Sequence, residues 1–375
     1  GYHLFMHFNI AAFGENGFID YSQCYFISKD EYKKFMVRGF PQKGDILLTT
    51  EAPLGVVAKL DRNDVAVAQR LLTLRGKKGL LDNDYLLYYL QSSAGQAALK
   101  ARESGTTVTG IKQAEFRKIE LVLPSIDTQK RIASILSSLD GKIKNSTQIN
   151  HNLEEQAKAI FKSWFVDFEP FQNGKFVDSE LGKIPEGWQV RDVYAISSVI
   201  YGAPFASKLF TTEKQGKPIV RIRDLSTETP QVYTTECHPK GYVLQPGDIV
   251  VGMDGEFKAY LWGGVEAWLN QRVCVFKPHK GYSSGFVRFS IMPLLAAVEA
   301  SEVATTVIHL GKNDIDKFRV IIPDSKVLAA FNEIAAPISA KIVQNKIANR
   351  RLAQLRDILL PKLMSGEIDV SEVEV

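Results

Sequence analysis

The chain has 375 residues and a mass of 41.9 kDa, long for one domain and suited to two or three. Hydrophobic residues make up 45% and charged residues 23%, which excludes a disordered chain, and no apolar run approaches the roughly 18 residues that span a bilayer. The net charge of +4, from 46 basic and 42 acidic residues, permits a nucleic-acid partner without requiring one.

The first ten residues lack the basic-then-apolar order of a signal peptide. His3 and His7 are four apart, but no Glu follows His3 and the segment is aromatic, so a packed or fraying end is a better reading than zinc. Residues 45–59 hold two apolar runs broken by Pro53 and Gly55, the pattern of two short strands and a turn. Residues 84–100 have helical spacing, residues 103–112 form a polar loop, and residues 116–123 predict a strand ending at Pro124. Asp127 is placed to cap a helix running to about Phe165, with apolar positions at Ile132, Ile135, Leu139, Ile143, Ile149, Leu153, Ile160 and Trp164.

Strands around residues 248–251, a helix near 286–299, a loop at 301–312 and a strand before Pro323 then repeat that order. A second helix is predicted from about Lys326 to Met364, with Pro337 able to kink it. Cys24, Cys237 and Cys274 are odd in number and far apart, which gives no disulfide framework or metal knuckle and suggests a reducing cytoplasm. No phosphate-binding Gly-x-x-x-x-Gly-Lys loop, dinucleotide Gly-x-Gly-x-x-Gly turn or Asn-Pro-Pro-aromatic tetrapeptide occurs. Pro323-Asp324 lacks the further acid and lysine of a nuclease site. With no nameable chemistry, the chain points to binding.

Internal duplication is the strongest signal. An offset of 199 carries Thr106-Thr107-Val108 onto Thr305-Thr306-Val307, Lys118 onto Lys317, Pro124 onto Pro323 and Asn150 onto Asn349. Gly44-Asp45-Ile46 matches Gly247-Asp248-Ile249 at an offset of 203, and Gln69-Arg70 matches Gln271-Arg272 at 202. Two mixed domains of one design are expected, each followed by a helix of close to 40 residues, on the order of 55–60 Å long. The simplest arrangement pairs the helices antiparallel as a coiled-coil spacer. The expected segments are a first domain over 1–124, a first helix over 125–169, a second domain over 170–323, and a second helix and tail over 324–375.

The Gly-Asp-Ile turn, the Ser-Gly-Thr-Thr-Val loop before a Pro-ended strand, residues 161–170 (Phe-Lys-Ser-Trp-Phe-Val-Asp-Phe-Glu-Pro) and the ending Leu-Leu-Pro-Lys-Leu-Met-Ser-Gly-Glu-Ile at 359–368 resemble the specificity subunit of type I restriction–modification enzymes. The resemblance covers essentially the whole chain. It implies two target-recognition domains, each reading half of a split duplex DNA site, and two helices that dock two methyltransferase subunits. A restriction–translocase subunit can join. The chain itself would be non-catalytic and without cofactor, with S-adenosylmethionine, ATP and Mg on the partner subunits. The segment Ile184-Pro185-Glu186-Gly187-Trp188 resembles the start of a domain in that family, and the first domain is expected to lack about 20 residues at the equivalent front.

Base readers are typically Arg, Lys, Asn and Gln. Arg221 and Arg223 alternate with Val220 and Ile222, which on a strand would place both arginines on one face, for DNA or simply for solvent. Gln69-Arg70 and Asn270-Gln271-Arg272 occupy one place in both copies, as a contact surface or around a buried structural Arg. Thr106, Thr107 and Lys112, with Thr305, Thr306 and Lys312, offer hydroxyls and ammonium groups for phosphates. Lys77, Lys78 and Lys208 are weaker candidates, since charged surface residues are usually just solvated. Trp164, Phe165 and Phe168, near a helix end, are expected to be exposed and to bind the partner subunits, against packing under the adjacent domain. A scaffold that binds only proteins and an enzyme with an unrecognised inter-domain site are the alternatives.

Overall fold

A computed structural model describes residues 5–8, 19, 21, 24–37, 39–105, 109–301 and 308–373. The chain divides into two compact units, residues 1–143 with 352–375, and residues 144–351.

In the first unit, β1 (Phe5–Phe8), β2 (Tyr25–Ile27), α1 (Lys29–Phe35), β3 (Ile46–Thr49), β4 (Val57–Lys59), β5 (Val65–Val67) and β6 (Leu71–Leu74) precede the helices α2 (Asn83–Gln91), α3 (Ser93–Lys100) and α4 (Gln113–Phe116). One sheet has the order β2-β1-β5, the other β4-β3-β6. β3 is buried on both faces, which its unbroken Ile-Leu-Leu run allows. Successive side chains point to opposite sides of a strand. Ile46 and Leu48 therefore join Tyr85, Tyr88 and Leu136 in one core, while Leu47 joins Leu60, Val65 and Leu71 in another.

After the long helix α5 (Ile126–Phe165), the second unit carries β7 (Phe176–Ser179), β8 (Gly182–Pro185), β9 (Gln189–Asp192), β10 (Ser197–Tyr201), β11 (Phe210–Thr211), β12 (Lys217–Val220), β13 (Val232–Thr234), β14 (Val243–Leu244), β15 (Ile249–Gly252), β16 (Ala259–Leu261), β17 (Ala267–Leu269) and β18 (Val273–Pro278). It continues with α6 (Ser284–Ser301), α7 (Lys312–Ile315), β19 (Arg319–Ile322) and the second long helix α8 (Ser325–Met364). The main sheets are β10-β18-β15-β16 and β11-β13-β12-β17-β14. β15 repeats the role of β3: Ile249 and Val251 face one core, Val250 the other.

The duplication extends to single hydrogen bonds. Gly44 N donates to Leu60 O and Gly247 N to Trp262 O, both at 2.7 Å. The two glycines have φ of 94° and 95°, a region open to glycine at little cost. The following aspartates are buried and cap the turn: Gln42 N donates to Asp45 and Gln245 N to Asp248. Each also receives a cation, Arg75 just past the end of β6 on Asp45 at 2.6 Å and Lys277 of β18 on Asp248 at 2.7 Å.

Each 40-residue helix contributes to both units. In the first unit, Arg356 of α8 donates to Asp140 of α5 at 2.8 Å, and Tyr88 donates to the same carboxylate at 2.7 Å. In the second, Asn345 Nδ2 donates to Asn150 Oδ1 at 2.7 Å. Asp324, not a residue inside the helix, caps α8 by accepting from Lys326 N and Val327 N. At α5 the cap is Ser125, whose Oγ accepts from Thr128 N, and Asp127 lies in the first turn.

Three expected elements differ. The helix over 84–100 breaks at Ser92, whose extended backbone ends α2 and whose Oγ accepts from Gly95 N to start α3. Residues 119–124 form no strand. Their counterpart β19 forms by pairing with β9. Val122 is 93% exposed. Finally, β12 stops at Val220, so Arg221 and Arg223 do not share a strand face. Residues 222–224 turn as a 3-10 helix because Asp224, buried, accepts from Arg221 N at 2.9 Å and closes the turn.

Candidate nucleic-acid interface

In the first unit β3 and β6 pair up to Thr49 and Leu71, and the chain beyond that edge carries the polar residues. Gln69 and Arg70 form the exposed turn between β5 and β6. Arg70 O accepts from Thr50 N at 3.0 Å, and Thr50 O accepts from Ile111 N at 2.9 Å. These bonds bring the chain that follows the Thr-rich loop alongside Arg70. The guanidinium Nε lies 2.8 Å from Glu51 Oε1. Lys112 is exposed at the start of α4. Lys77 and Lys78 are also exposed but follow β6, whereas Arg70 precedes it, so a strand of four residues separates the two groups. The fold does not gather all the first-unit candidates at one point.

The second unit builds the same edge. Arg272 O accepts from Met253 N at 2.9 Å, and Met253 O accepts from Leu310 N at 2.8 Å. β12 and β17 are parallel and end together, which places Arg221 beside Asn270, whose backbone N donates to Val220 O. Gly202 passes so close that an added Cβ would lie 1.9 Å from Asn270 O, so the approach requires glycine there. Gln271 and Arg272 are exposed. Asn270 Oδ1 accepts from Gln271 N at 2.7 Å and shapes the turn. Arg272 Nη1 lies 3.4 Å from Asp254 Oδ1, and His309 Nδ1 approaches the same oxygen at 2.7 Å.

The remaining candidates are dispersed. Lys208 is exposed in a 3-10 turn, Ser207–Leu209. Lys312 opens α7 and is held by Asp316 at 2.8 Å; this lysine, and then Tyr194, keep the Asp316 carboxyl below its ordinary pKa. Arg221 Nε contacts the buried Asp224 at 3.2 Å, which gives it a structural role in its turn, while Arg223 is exposed. Thr106, Thr107, Thr305 and Thr306 lie outside the described residues. Glu51, Asp254 and His309 were not anticipated. The signal for the two acids was available, since the offset of 203 that aligns the Gly-Asp-Ile turns also carries Glu51 onto Asp254.

The expected exposure of Trp164, Phe165 and Phe168 is not met. Phe165 is 4% exposed and packs against Trp188, Phe286 and Phe331 with ring centroids 5.7, 5.2 and 5.0 Å away. Trp164 lies against Phe171 and Phe331, and Phe168 against Phe176 and Trp188. The helix end is apolar because the following chain folds back over it.

Among the described residues, no three His, Cys, Asp or Glu side chains are grouped to hold a metal ion, and no helix is long and apolar enough to cross a membrane. Residues 10–155 and 185–356 match the family described as type I restriction modification DNA specificity domain. A relative from Methanocaldococcus jannaschii, the type I restriction enzyme MjaIX specificity subunit, is 30% identical over 92% of this chain and 82% of its own length. The type I restriction enzyme HindI specificity subunit of Haemophilus influenzae is 22% identical over 87% of each chain. Among solved structures, the type I restriction–modification system S subunit from M. genitalium aligns with a TM-score of 0.52 and 18% identity, over 96% of this chain and 88% of that one, a likeness of fold. With both copies of the duplicated design matched, the chain belongs to the type I restriction modification DNA specificity domain family.

Proposed function

We propose that this chain reads a bipartite duplex DNA target, one half with each unit, and presents that DNA to methyltransferase subunits without performing chemistry itself. The observation that carries the proposal is the duplicated polar edge: Arg70 and Arg272 stand at one structural position in units whose surrounding residues differ. One framework with two different surfaces suits two different half-sequences. Two methyltransferase subunits would assemble on the chain, and restriction–translocase subunits could join them. S-adenosylmethionine, ATP and Mg would then belong to those partners, and the adenine would be flipped out of the duplex into a partner's site. The test is to map methylated positions in a host with and without this gene. The expected result is one split motif that appears only with the gene, and no change in methylation would refute the proposal.

A further inference from the structure

Resting on that reading, we infer that Arg70 and Arg272 are equivalent base-reading arginines, each aimed by a carboxylate, Glu51 in the first unit and Asp254 in the second, and that each reads a guanine. Both arginines sit one residue before the strand that pairs with β3 or β15. Both acids sit two residues beyond β3 or β15. Both acids bridge to the residue that follows the Thr-rich loop, Glu51 to Gly110 and Asp254 to His309. The backbone of each pair is therefore held by these pairings, while the arginine side chains remain 64% and 57% exposed.

Stability does not account for keeping such a pair twice, because exposed ion pairs contribute little. Attraction to phosphate does not account for it either, because a neighbouring carboxylate offsets the charge that would release counterions. What a carboxylate does supply is orientation. Glu51 engages Nε of Arg70 and leaves both terminal nitrogens as a fork. Asp254 engages Nη1 of Arg272 and leaves Nε and Nη2 as a fork. Either fork matches the O6 and N7 acceptors of guanine in the major groove. In the second unit His309 Nδ1 shares the Asp254 oxygen and is a further positioning residue; the first unit has Gly110 in its place.

The test uses the full chain assembled with its methyltransferase partner and a pool of duplex DNA with a randomised central segment. The wild-type complex should enrich a split sequence with a guanine in each half. Arg272→Lys keeps the charge but loses the fork, and should reduce discrimination at one guanine of one half by roughly tenfold, the scale of one bidentate contact. Arg70→Lys should do the same in the other half. Asp254→Asn and Glu51→Gln should weaken the same guanine preferences while binding to unrelated duplex stays equal or rises. Unchanged enrichment for the lysine variants, with thermal unfolding as in the wild type, would overturn the assignment. So would equal loss in both halves, or carboxamide variants that bind all DNA more tightly with the guanine preference intact. A wild-type pool with no split sequence would overturn the proposed function, and this assignment with it.

Discussion

Phe165 shows how a residue read as a docking group can instead be part of a core. Its ring is enclosed by Trp188, Phe286 and Phe331, so truncation leaves a cavity that such a packed cluster fills poorly. Phe165→Ala should destabilise the second unit by about 3–5 kcal/mol, read as a lower urea midpoint. Loss of partner assembly with an unchanged unfolding transition would instead give this residue an interface role. Cys274 reports on the same core. It is fully buried, and burial pushes its thiol up to about 12, whereas Cys237 is exposed. The thiolate is the reactive form. At pH 8, Cys237 should react with a thiol reagent in the native state, and Cys274 should react only after unfolding. Rapid native modification of Cys274 would contradict its burial.

At the scale of elements, the long helices and their caps are set by local chemistry. Asp324 satisfies two backbone donors at the start of α8, so Asp324→Ala should cost about 1 kcal/mol of stability, measurable by urea titration against a conservative Asp324→Asn control. Much of the fold was legible for the same reason. The Gly-Asp-Ile turns, the apolar triplets of β3 and β15, and both 40-residue helices follow from backbone and periodicity rules that operate within a few residues. What escaped depends on distant partners. Residues 119–124 and 319–322 have similar patterns, but among the described residues only the latter meet a strand such as β9. Arg221 has strand-like neighbours, yet the Asp224 carboxylate three residues on turns the chain instead. Ile149 falls on the expected helix seam but is 49% exposed, since a period of three and four does not say where a neighbouring helix or domain ends. In the candidate site, Arg70 and Arg272 could be found by duplication, whereas the contact with His309 needed the bridge across the loop.

For the whole molecule, charge decides between broad attraction and local contact. Residues 1–125 carry 16 basic and 13 acidic side chains, and residues 170–325 carry 17 of each, so neither stretch is a uniformly basic surface. Phosphate binding must come from individual cations. Lys77, Lys78, Lys112 and Lys208 are exposed, while Lys312 is paired with Asp316. If those four lysines each neutralise one phosphate, log affinity should fall against log salt with a slope of about −3.6, or about a hundredfold between 50 and 200 mM. That is shallower than for proteins that cover the duplex with basic residues. Replacing Lys77 and Lys78 together by Ala should make the slope shallower by about 2 while the preferred DNA sequence stays the same, because phosphate contacts carry no sequence information. Binding of the assembled complex to one duplex across that salt range measures the slope, and selection from a randomised pool measures the preference. A changed preference would make Lys77 or Lys78 a base reader. An unchanged slope would remove both from the interface and leave the arginine edge, on the other side of β6, as the contact surface of the first unit.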